Sequence, residues 1–268
     1  MSTHSKNLDR RQFLIASAGL GIALTTPVLE SLAVGKSTKP LPSDLTELGA
    51  SSLSRAIKQR QVSCVEVMQA YLARINLYNP VYNAIVAMPD DDDLIRQAAT
   101  ADQALSRGEY WGWMHGMPHA VKDLSNVKGL PTSSGSRIFA GHVANKDSIF
   151  VERIRQQGAI FIGKTNVPEF GLGSQTYNAV YGTTRNAYNP DLIAGGSSGG
   201  AATGMATGML PVADGSDMMG SLRNPAAYNN VIGFRPTQGR VPNAGKDLYF
   251  QQLPLYLYQP LHFQHRLP

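Results

Sequence analysis

Residues 194–223 limit what this chain can be more than any other stretch. They read Ala-Gly-Gly-Ser-Ser-Gly-Gly over 194–200 and Gly-Ser-Asp-Met-Met-Gly-Ser-Leu-Arg over 215–223. Four glycines flank Ser197 and Ser198, and glycine accepts positive φ and close approach of another group. The paired serines therefore belong on a tight turn. Residues 201–209 are small and apolar, interrupted only by Gly204 and Gly208, which predicts a short helix packed closely on a neighbour. A second turn then presents Ser221 among backbone amides.

Serine becomes a nucleophile only when a base removes its proton, and the oxyanion that follows needs donors already in place. The glycine turns supply hydroxyls and a run of N–H groups over 218–221 but no base. Upstream, Pro118-His-Ala-Val-Lys-Asp123 reads as a strand ending on Lys122. A lysine buried among apolar groups and hydroxyls can give up its charge, because desolvation disfavours the ammonium.

These residues together resemble the amidase signature family of Ser–Ser–Lys hydrolases. The resemblance rests on Gly-Gly-Ser-Ser-Gly-Gly, on a serine 24 positions after the first of the pair, on the Leu-Arg-Asn-Pro that follows, and on the upstream Val-Lys-Asp. Segments 45–84, 114–118, 158–170, 182–186 and 233–237 fall in the order and spacing expected of the family, so the match runs from about residue 45 to 242. It implies an α/β fold, a mixed central β-sheet covered by helices on both faces, incomplete at the C-terminal end. It also implies Ser221 as nucleophile, Ser197 as a relay beside a cis peptide, and Lys122 as base. The backbone amides of Met218, Met219, Gly220 and Ser221 would line the oxyanion site, while Ser198, Asp217 and Arg223 would hold the loop in shape.

Two departures stand out. Met219-Gly220 replaces the two glycines usual before the nucleophile, so a side chain there either narrows the approach or keeps an ordinary negative φ. The family also continues for some way past Gly233-Phe-Arg-Pro-Thr237, whereas this chain ends at Pro268. Residues 246–268 are rich in Pro, Leu and aromatics with neither helical nor clean strand period, and read like a terminus left by truncation or a shifted frame.

At the other end, Asp9-Arg-Arg-Gln-Phe-Leu-Ile15 followed by a small, apolar run to Thr26 has the pattern of a twin-arginine export signal. The apolar part is shorter than a membrane span of about 20 residues. Ser31-Leu-Ala33 marks an expected cleavage point, giving a signal over 1–33, an amidase-like region over 34–245 and an atypical tail over 246–268. The expected location is periplasmic or secreted. The whole chain carries a net charge of +5, and without clustered basic residues this excess does not point to nucleic acid.

Most of 45–105 is helical by pattern. Ser63-Cys-Val-Glu66 fits a capping box opening a helix over 64–77, and Asp90–Asp93 fit a helix start whose dipole favours carboxylates. A calcium site there lacks alternating oxygen ligands. Cys64 is the sole cysteine and reads as structural. Residues 147–157 have amphipathic period, and Ala159-Ile-Phe-Ile162 is a buried strand, which together make an α/β rhythm. Gly158–Thr165 matches the phosphate-loop spacing, but its intervening residues are strand formers and Pro168 follows too soon for a helix. Lys164-Thr-Asn166 then reads as a loop beside the active site.

A Ser–His–Asp triad through His119 and Asp123 is the rival arrangement. His119 and Lys122 are three apart on a strand and so face opposite sides. No histidine has metal-ligand spacing with an acid or the cysteine, so neither metal nor cofactor is expected. The resulting expectation is an amidase that cleaves a small carboxylic amide to acid plus amine or ammonia, with oligomers open. The alternatives are a glutaminase or transamidase subunit of the same family and an inactive truncated fragment.

Overall fold

A computed structural model describes residues 41–237 and 239–242 and the backbone of 255–258. The expected export signal over 1–33 and most of the tail lie outside the described residues. The layout follows from two apolar runs that pair side by side. Strand β2 (Pro118–Lys122) and strand β3 (Ile160–Thr165) are buried at every position. Unbroken burial, rather than alternation, marks a sheet covered on both faces. β2 and β3 run parallel, with Pro118 opposite Ile160 and Lys122 opposite Thr165, and the register slips by one residue after His119. Strand β1 (Ile85–Val86) adds to β3 antiparallel, so the sheet is mixed, in the order β1-β3-β2.

Helices α1 (Ala50–Lys58), α2 (Cys64–Tyr82) and α3 (Asp91–Ser106) precede this pair and α4 (Ile149–Gln156) leads into β3. At the start of α2, Ser63 Oγ accepts the Glu66 N–H at 3.1 Å and Glu66 returns by accepting the Ser63 N–H at 2.8 Å. Asp102 of α3 accepts two more first-turn N–H groups, from Cys64 at 2.7 Å and Val65 at 3.1 Å. The helix runs five residues past the expected Leu77 and ends on Asn83 in the left-handed region, because Tyr78 and Tyr82 still pack against the core. In α3, Leu94, Ala98, Ala101 and Leu105 form the buried stripe. Each large aliphatic buried this way contributes about 1.5–3 kcal/mol.

Helix α5 (Gly199–Ala206) is buried along nearly its whole length. Its glycines have a packing reason: a Cβ on Gly200 would lie 2.6 Å from the Ala84 carbonyl oxygen and closer still to the Asn166 backbone nitrogen. Strand β6 (Ala213–Ser216) follows, then α6 (Arg223–Tyr228). Between β3 and α5, β4 (Tyr177–Asn178) and β5 (Gly182–Thr183) form a small hairpin.

Two expectations need correcting. Lys164 and Thr165 belong to β3 rather than to a loop, because Asp123 provides the buried lysine with a charge partner. In the tail, Leu255–Tyr258 forms strand β7, antiparallel to β6, with Ala213 opposite Tyr258 and Ser216 opposite Leu255. The local Leu-Tyr-Leu-Tyr suits a strand, and β6 offers an edge whose N–H and C=O groups need partners.

Candidate active site

β2 delivers Lys122 into the interior, where its side chain is closed to solvent. Its Nζ lies 2.8 Å from Ser197 Oγ, 2.7 Å from Ser198 Oγ and 2.8 Å from Ser216 Oγ, with the Ser216 carbonyl at 3.5 Å. Burial pushes the amine down from the usual 10.5 to about 7, against the opposing pull of Asp214 and Asp217. Proton exchange with a neighbouring hydroxyl is thus within reach near neutral pH.

The two serines arrive on the glycine turn that opens α5, and the Gly196–Ser197 peptide is cis. A Cβ on Gly196 would stand 2.8 Å from the Gln175 backbone nitrogen, so the turn runs hard against residues 174–175. Ser221 comes from the second turn, tied to the first by its carbonyl, which accepts the Ser198 N–H at 3.1 Å. The structure therefore joins the two turns and bonds Lys122 to Ser197. It forms no hydrogen bond between the Ser197 and Ser221 hydroxyls.

Asp217 shapes the second turn. It accepts the N–H groups of Gly220 at 2.6 Å, Leu222 at 3.3 Å and Arg223 at 3.4 Å, and the Arg223 guanidinium through two further bonds of 2.8 and 3.0 Å. Burial alone would raise this carboxyl, but Arg223 and the backbone donors hold it at about 2. Gly220 has φ of +110°, whereas Met218 and Met219 keep negative φ. The Met219 side chain points out, 87% exposed, and does not fill the turn. One assignment changes: the Gly220 N–H is spent on Asp217, which leaves Met218, Met219 and Ser221 with unclaimed N–H groups among the described residues.

His119 and Asp123 do not form a triad. Asp123 accepts from Ser133 Oγ at 2.6 Å and the Gly135 N–H at 3.3 Å and pairs with Lys164 Nζ at 3.2 Å. His119 instead faces Asp214, Nε2 to Oδ1 at 3.2 Å. Asp214 and Ser216 are the site residues that sequence reasoning passed over. Two residues apart on a strand, they share one face, but nothing local in the sequence names Lys122 as their partner. Among the described residues no group of His, Cys, Asp and Glu is placed to hold a metal. Cys64 is buried and its thiol is pushed up by that burial.

The amidase family's sequence model matches residues 66–255. The chain belongs to the amidase family. It is 40% identical over 203 residues to a glutamyl-tRNA(Gln) amidotransferase subunit from Acidothermus cellulolyticus, covering 76% of this chain and 40% of that protein. It is 40% identical over 195 residues to an acylamidase from Rhodococcus erythropolis, covering 73% of this chain and 41% of that protein. Among solved structures, a bacterial aryl acylamidase of the amidase signature family superposes with a TM-score of 0.73 at 33% identity, over 79% of this chain and 44% of the other. The mixed α/β sheet is thus the amidase signature fold, and the chain spans about two fifths of the length of the curated relatives it matches.

Proposed function

We propose that this amidase hydrolyses a small carboxylic amide through a serine acyl-enzyme. The observation that carries the reading is the buried Lys122 amine, within 2.8 Å of three hydroxyls and poised near neutral pH. In its uncharged form Lys122 takes the proton of Ser197, and Ser197 takes that of Ser221. Ser221 then attacks the carbonyl, and the N–H groups of Met218, Met219 and Ser221 face the developing negative charge. The amine or ammonia leaves with a proton returned along the same relay. Water, activated by the reverse path, releases the acid. The Ser197–Ser221 contact is the step that substrate must close, since catalytic hydrogen bonds often tighten only in the complex.

A fluorophosphonate probe tests this directly. Covalent labelling should occur on Ser221 and vanish in Ser221→Ala, and labelling that survives that substitution sinks the assignment. Likeness to amidotransferase subunits at 40% identity favours a second reading, release of ammonia from glutamine. Glutamine-dependent ammonia production in place of turnover of simple aryl or alkyl amides would select it. The export reading is a further part of the proposal, supported by Asp9-Arg-Arg-Gln-Phe-Leu and the apolar run behind it. A fusion of residues 1–33 to a reporter should lose export when Arg10 and Arg11 become lysine. Among the described residues no helix is long and apolar enough to cross a membrane.

A further inference from the structure

Asp214 is the least expected group in the interior. Its side chain on β6 is 1% exposed, and His119, wholly buried, faces it from β2 with Nε2 3.2 Å from Oδ1. Both carboxylate oxygens also accept the backbone N–H of Lys122, at 3.3 and 3.2 Å. A buried carboxylate is costly unless donors surround it. Here the donors come from two positions of one strand. β2 is an edge of its three-stranded sheet, and β6 lies in a separate one. The carboxylate therefore caps a strand edge that would otherwise leave a buried N–H orphaned.

The same strand serves the amine. Asp214 and Ser216 are two apart on β6, and Ser216 Oγ touches Lys122 Nζ at 2.8 Å. The charged groups bearing on that amine are Asp214 and Asp217. Asp217 is neutralised by Arg223 in an ion pair of 2.8 Å. Asp214 is faced by His119 and Lys122 and acts at longer range on Lys164 of β3, which already pairs with Asp123. Asp214 is thus the carboxylate near the amine with no guanidinium or ammonium bonded to it among the described residues.

We propose that Asp214, held by His119, is a positioning residue for Lys122: its carboxylate fixes the end of β2 and sets how firmly the amine keeps its proton. This rests on Lys122 being the base of the proposed reaction, but the amine itself is what the test reads. The geometry requires the imidazole proton on Nε2, because Nδ1 has no partner among the described residues. The ring meets Phe161 edge-on at 6.1 Å.

The experiment uses the full chain with carbon-13 lysine, the Lys122 Cε signal being assigned by its loss in Lys122→Met. Asp214→Asn keeps an acceptor for the Lys122 N–H but removes the charge. Its titration midpoint for Lys122 should fall by about one pH unit, and His119→Gln, which retains a donor, should leave the midpoint in place. A midpoint that stays put or rises in a folded Asp214→Asn chain overturns the proposal. Should that chain not fold, nitrogen-15 shifts of His119 in the unaltered protein decide: a proton on Nε2 supports it, and a proton on Nδ1 alone overturns it. If the midpoint shifts yet fluorophosphonate never labels Ser221, the acyl-enzyme reading fails while this inference stands.

Discussion

Two lysines stand on neighbouring parallel strands and meet opposite fates. Val121 lies opposite Lys164 in the register, so Lys122, one residue on, faces the other side of the sheet. Both side chains are closed to solvent, and burial pulls both below the usual lysine value. Their partners differ in kind. Lys164 meets the Asp123 carboxylate at 3.2 Å, the Ser125 carbonyl at 2.7 Å and the Thr132 hydroxyl at 3.1 Å. That shell is mostly acceptors, with a full negative charge among them, and it suits an ammonium. Lys122 meets three hydroxyls, which can donate to a lone pair as readily as accept from a proton. Burial makes an amine reluctant to carry charge; the polarity of its contacts decides whether it can do without it.

The comparison breaks most sharply under exchange of each lysine for methionine. Lys122→Met should fold and lose serine labelling by roughly 10²–10⁴-fold, the range of a general base, measured as the rate of fluorophosphonate incorporation at pH 8. A variant that labels at the original rate would show the amine to be structural after all. Lys164→Met should instead fail on stability, by about 3–5 kcal/mol in denaturant titration, because it leaves Asp123 as an unpaired buried charge. Adding Asp123→Asn should recover part of that loss, and no recovery would refute the ion-pair account.

The pH dependence of stability sharpens the same contrast. The folded chain releases the Lys122 proton near pH 7, whereas the unfolded chain holds it until about 10.5. Between those values the unfolded state carries more protons, so rising pH stabilises the fold, and the cost of burial is complete below about pH 7. Relative to Lys122→Met, the unaltered protein should therefore gain stability from pH 7 to 10, by up to about 4 kcal/mol. The contribution of Lys164 is common to both chains and cancels. A flat difference across that window would mean that Lys122 titrates alike folded and unfolded.

What the sequence made legible divides along the same line. The serines of the glycine turns and the lysine ending β2 could be found because each is constrained locally, by glycines or by an apolar run. The capping box of α2 was equally plain in Ser63 and Glu66. The start of β3 was read in the apolar run 159–162, but its end at Lys164 and Thr165 was not, since a charged residue there looks like a loop until Asp123 arrives from the turn after β2. Asp214 and Ser216 were missed for the same reason: β6 is short, and its polar positions make sense only against Lys122, 92 and 94 residues away. The strand at Leu255–Tyr258 depends likewise on the open edge of β6. Local chemistry shows in the sequence, whereas polar groups that satisfy one another across the fold do not.

Ser216 tests how much of the hydroxyl shell Lys122 needs. Its Oγ touches the amine at 2.8 Å, and its carbonyl accepts the Ser198 hydroxyl at 3.3 Å. Ser216→Ala removes the first contact and keeps the second, because the carbonyl is backbone. Two hydroxyls and the more distant Ser216 carbonyl at 3.5 Å remain, enough to satisfy an uncharged amine but a weaker acceptor set for the three donors of an ammonium. The substitution should thus penalise the charged form, moving the acid limb of the labelling profile to lower pH. The lost hydrogen bond is worth about 0.5–1.5 kcal/mol, so the rate on the alkaline plateau should change by less than about tenfold. A shift of the limb to higher pH would mean that the serine acts on Lys122 mainly as a donor, and the shell would then favour the free base more strongly than the geometry alone suggests.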